Sequence, residues 1–296
     1  MVTGCIGGTR STTNPAYPAT GLVLLSLKDG SRVAAASLGS DPVAVIVSQD
    51  GGTAYVADSS PGDIYAVGLP HLKVSWKRHL GRAPFGLLLH SGRLFVSLYT
   101  GAVVELAPST GALLASHPLP QGPAEMSVDA AGRVVVAGTR GQVYHLDGSA
   151  VRAGNGFGIA VVHGRVWTAD YERAELVSAG DGHRVGMPLP VFPFWLAAGA
   201  GNTLLITAEG DTEDTALGGV FSYDTATGTF RTLARPRDPD QVVQSGLKVL
   251  VAAHGDREVL AIEGGQSSVW ARGAAAVAIA PDPSLNLLVL VVNAHE

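Results

Sequence analysis

Glu125, Asp170, Glu209 and His254 carry oxygen and nitrogen donors of the kind that hold a hard or borderline cation. Gathered around one point they would bind a divalent ion, Ca or Mg, which would polarise a carbonyl or acidify a water. Trp195, in Phe192-Pro193-Phe194-Trp195, offers a flat ring that either stacks on a ligand or plugs a channel. Tyr171 and Gln241 add a hydroxyl and a carboxamide, so the ligand-binding set is Glu125, Asp170, Tyr171, Trp195 and Gln241. The structural alternative also stands: carboxylates and imidazole capping strand ends and pairing with Arg140, Arg173 or Arg257. No Ser-His-Asp order or nucleophile elbow is recognisable, and no catalytic residue is assigned.

What must position these side chains is a repeat. The stretch from Asp41 to Asp58 is an apolar run, an Asp50-Gly51-Gly52 turn and a second apolar run, which is a β-hairpin signal. Weaker copies are led by Pro84, Pro123, Phe157, Pro193, Pro239 and Ala275, roughly 40 residues apart. Shorter strand pairs lie between them, such as Val143 to Leu146 and Val259 to Ile262, with turns at Asp147-Gly148 and Thr227-Gly228. Four strands per repeat predict an all-β, seven-bladed β-propeller over residues 21–296, preceded by a flexible tether over residues 1–20. The chain starts on third and fourth strands (Leu22 to Leu27, Arg32 to Leu38) and ends on a first and second (Val277 to Ala280, Leu287 to Val292). Pairing the two ends in one blade closes the ring and leaves no open edge. Antiparallel alternation puts the minimal Asp-Gly turns on one face and the longer connections, with every candidate residue, on the other.

Residues 42–58 resemble the YVTN/NHL-type propeller repeat, Pro-x-x-Val-Ala-Val-Ser-x-Asp-Gly-x-x-x-Tyr-Val-Ala-Asn, with Asp58 in the last place. Asp224-Thr225-Ala226-Thr227-Gly228 matches that family's turn. The resemblance implies an extracytoplasmic binding or scaffold protein, with no shared catalytic set. Val2-Thr3-Gly4-Cys5 resembles a bacterial lipobox, which implies lipidation at Cys5 and a membrane attachment through that lipid alone. A metal at the channel mouth would resemble the chemistry of propeller lactonases and lyases. That alternative is a metal-dependent hydrolase or lyase.

Composition narrows the partners. A net charge of −5 and the absence of a Lys/Arg run remove the electrostatic footprint of nucleic-acid binding. One cysteine permits no internal disulfide. The expected partner is a small molecule, peptide or protein on the loop-rich face, with no cofactor required. The insertion after Glu209, with Asp211, Glu213 and Asp214, lacks the donor spacing of an EF-hand.

Overall fold

Strand formation follows the burial each strand meets. Second and third strands read as apolar runs, such as Val134 to Ala137 and Ile64 to Val67, and are buried on both faces. Outermost strands alternate instead, with Arg32–Ser37 and Leu113–Pro118 turning every second residue outward. Both patterns are what stacked antiparallel sheets demand: double burial inside, one wet face at the rim.

A computed structural model describes residues 17–81, 83–120, 122–210 and 218–295. Cys5 and the acidic residues Asp211, Glu213 and Asp214 lie outside the described residues. The described residues form twenty-eight strands and no helix, arranged as seven four-stranded antiparallel sheets. Each sheet is one blade. The innermost strands of blades one to seven are Pro42–Val47, Pro84–His90, Pro123–Val128, Ile159–Val162, Phe192–Ala198, Pro239–Ser245 and Ala276–Asp282. The core lies between blades: Val56 and Tyr65 of blade one pack with Leu24, Val289 and Val291 of blade seven, and so on around the ring.

Blade seven is built from both ends of the chain. Thr20–Ser26 pairs with Leu287–Asn293, as the sequence predicted, and the register runs from Thr20↔Asn293 to Ser26↔Leu287. Blade four differs slightly from expectation. Its inner strand begins at Ile159, with Phe157 ahead of the ladder and its ring against Phe85 and Phe194.

Turn chemistry fixes the face without long loops. Gly51 has φ +74°, and a Cβ there would collide with the Ser284 hydroxyl and the Asp282 carboxylate of blade seven. Only glycine lets this turn dock on its neighbour.

Candidate functional site

The inner strands share a defect that aims side chains at the channel. Six of the seven ladders between inner and second strand slip register just after the leading residue, between Pro42/Ala44, Pro84/Leu87, Pro123/Met126, Pro193/Trp195, Pro239/Gln241 and Ala276/Ala278. In five of the six the slip follows a proline, which has no N–H to donate, and the extra residue behind it is left outside the ladder. In blades three, five and six the position two past the proline is Glu125, Trp195 and Gln241. All three line a single cavity of about 210 Å³, closed otherwise by aliphatic residues such as Leu87, Val243 and Ile279.

Each of the three is held differently. Burial pushes the Glu125 carboxyl up to about 8, and the Met126 N–H at 3.4 Å is the hydrogen bond that opposes it. At neutral pH this carboxyl is mostly protonated. Gln241 accepts a 2.5 Å hydrogen bond from the Ile279 N–H through Oε1, tying blade six to blade seven. Trp195 is half-buried: one side packs against the cluster around Leu205, Val242 and Val251, and it also lines the cavity. It therefore forms part of the cavity wall.

One residue nearer the loop-rich face, aromatic rings cross the mouth. Phe157 lies 5.5 Å from Phe85 and 5.4 Å from Phe194, centroid to centroid. Tyr99 lies 6.3 Å from Phe85 and stacks on Phe157 at 6.3 Å. Blade three supplies Ala124 at the equivalent position, small enough for rings from blades two and four to meet across it.

The remaining sequence candidates go elsewhere. Asp170 is fully buried, and its Oδ2 accepts from Arg184 Nη1 at 3.0 Å and Arg173 Nη1 at 3.3 Å. The Tyr171 hydroxyl donates to Glu209 Oε2 at 2.6 Å, and its ring stacks on Phe192 at 5.2 Å. Burial raises the Tyr171 hydroxyl pKa, and the accepting Glu209 raises it further. Burial also raises Glu209, with the negative charge of Asp238 adding to it and the Tyr171 hydrogen bond opposing it. His254 places Nε2 3.1 Å from the Asn293 carbonyl and Nδ1 3.4 Å from Asp238 Oδ2. A nitrogen facing a carbonyl carries its proton, so Nε2 presents no lone pair.

Glu125, Asp170, Glu209 and His254 thus lie on four successive blades with separate partners. The described residues hold no group of three or more His, Cys, Asp or Glu that could hold a metal ion. Sequence reasoning missed Arg184 and Asp238. It also missed the hydroxyls of Ser97 and Thr207, which accept the Gly86 and Trp195 N–H groups that the slipped register releases. A hydroxyl at the second-strand position facing the slip was the available signal.

No protein-family model matches the chain, and no curated sequence matches it. Solved structures do match. Hydrazine synthase of Kuenenia stuttgartiensis aligns at TM-score 0.67 and 11% identity, over 86% of this chain and 96% of that one. Periplasmic gluconolactonase of Pseudomonas aeruginosa aligns at 0.62 and 15%, over 93% and 97%. BamB of Moraxella catarrhalis aligns at 0.57 and 16%, over 95% and 94%. The chain is a seven-bladed β-propeller. At these identities the likeness is one of fold.

Proposed function

We propose that this propeller is an extracytoplasmic binding protein that takes a compact, largely apolar molecule carrying an amine into the loop-rich end of its channel. The observation behind this is that Glu125, Trp195 and Gln241 share one register position and line one aliphatic-walled cavity. A desolvated carboxyl beside an indole face suits an ammonium group, which draws the proton out of the carboxyl and gains cation–π contact. The aromatic row of Phe85, Tyr99, Phe157 and Phe194 supplies a second, flatter contact surface for a peptide or protein at the same mouth. The location outside the cytoplasm rests on the lipobox-like Val2-Thr3-Gly4-Cys5 and on fold likeness to a gluconolactonase described as periplasmic.

The test is calorimetric titration with a panel of small primary amines bearing aliphatic or aromatic bodies. At least one is expected to bind, with proton release from the protein, and to lose about tenfold in affinity in Glu125→Gln. Failure of every amine to bind would remove this reading. For the anchor, Cys5→Ser should abolish incorporation of a labelled fatty acid in cells; unlabelled wild-type protein would refute lipidation.

Fold likeness to a gluconolactonase also keeps a metal-dependent hydrolase or lyase in view. That reading needs Glu125, Asp170, Glu209 and His254 to abandon their present partners for one ion. The expected outcome of adding Ca or Mg is therefore no rise in Tm. A rise that grows with ion concentration would favour the hydrolase.

A further inference from the structure

The rim of the ring is uneven. Blades three and four end in outer strands of three residues, Ala150–Arg152 and Arg184–Gly186. The outer strands of the other five blades, Arg32–Ser37, Lys73–His79, Leu113–Pro118, Thr229–Ala234 and Gln266–Arg272, have six or seven residues. Two short neighbours leave the gap between their blades uncovered. A groove of about 750 Å³ opens there, far larger than the axial cavity and separate from it.

Its walls carry Arg140 and Arg152 from blade three and Arg173 and Arg184 from blade four, with Glu175 as the acidic side chain among the lining residues. Asp170 lies fully buried and bonds Arg173 and Arg184. Four cations therefore face two carboxylates, on a chain whose net charge is −5. Such a concentration of arginine against the overall charge is a local field that draws anions.

Geometry makes that field usable. The buried carboxylate of Asp170 fixes the direction of Arg173 and Arg184, and Glu175 steadies Arg184 at 2.6 Å. Both ion pairs of Arg184 run through Nη1, which leaves its other N–H donors for a third party. Arg152 is exposed and makes no ion pair among the described residues. Guanidinium forks match the oxygen pairs of phosphate and carboxylate, and holding them in place before binding lowers the ordering cost.

We propose that this inter-blade groove binds a compact, multiply charged oxyanion, a polyphosphate or polycarboxylate, between the guanidinium groups of Arg140, Arg152, Arg173 and Arg184. The site does not depend on the channel reading. The test is titration calorimetry at low ionic strength with pyrophosphate and, separately, citrate, on the full chain. Arg140→Ala/Arg152→Ala removes two exposed arginines from the blade-three wall, and Lys28→Ala removes an exposed charge on blade seven. Wild type is expected to bind, the double variant to bind roughly tenfold or more weakly, and Lys28→Ala to match wild type. Binding of pyrophosphate alone assigns the site to phosphates; binding of citrate as well widens it to carboxylates. No heat with either anion at millimolar concentration, or equal weakening by Lys28→Ala, would overturn the proposal.

Discussion

Glu125 faces a wall of aliphatic side chains with one weak hydrogen bond to its carboxyl, so the charged form is disfavoured inside the fold and free in the unfolded chain. Its pKa of about 8 lies above the ordinary value of 4.5, which means the native state holds the proton more tightly. The stability this group supports is complete below its unfolded pKa and is lost as pH rises through the folded one. Glu125→Gln keeps the shape and titrates nothing. Urea denaturation at about pH 5 and about pH 9 should therefore show similar stabilities at the acid end. At the alkaline end the variant should be the more stable by an amount on the order of a few kcal/mol. Parallel pH profiles for the two proteins would show that the carboxyl is solvated.

The slipped register at the head of the inner strands is the element that decides which side chains reach the channel. In blade five the Thr207 hydroxyl, fully buried, accepts from the Trp195 N–H at 3.2 Å and donates to the Asp240 carbonyl of blade six at 2.9 Å. Thr207→Val keeps the volume and strands both groups, which should cost about 1–3 kcal/mol. Thermal denaturation reads the loss, and the emission of Trp195 should shift as its backbone moves; an unchanged Tm would mean that neither bond matters. The same element explains what the sequence could and could not reveal. Proline at the head of a run, a Gly-Gly or Asp-Gly turn and largely apolar second strands are local signals, and they located the hairpins and the face. They also put Glu125, Trp195 and Gln241 at the entries to inner strands; that the three share one position shows only in the slipped registers. Which side chains meet across blades is not local. Tyr171 reaches Glu209 of the next blade, and within blade four Arg184 reaches Asp170 from an outer strand of three residues. The fourth repeat is short in the sequence, but that does not say which of its strands is cut or that a groove opens beside it.

Closure of the ring is the property of the whole molecule on which every site depends. The ends described meet in blade seven, where the Ala294 N–H donates to the Ala19 carbonyl at 2.8 Å. Because each blade has the same four-strand order, the break in the chain can be moved without changing any ladder. Joining His295 to Tyr17 through a short Gly/Ser linker and opening the chain between Gly246 and Leu247, where Leu247 is 85% exposed, moves the closure to blade six. The cost is mainly loop entropy, about 0.6 kcal/mol for each doubling of loop length, so the permuted protein should melt cooperatively within a few degrees of the parent. Removing residues 17–37 instead takes away two strands of blade seven, uncovers the edge of Leu287–Asn293 and strips Leu22 to Leu25 from two inter-blade clusters. That chain should show no cooperative transition and should aggregate through its open edge. A deletion variant that melted as sharply as the parent would mean that six blades close without the seventh sheet. The channel geometry built on seven would then lose its basis.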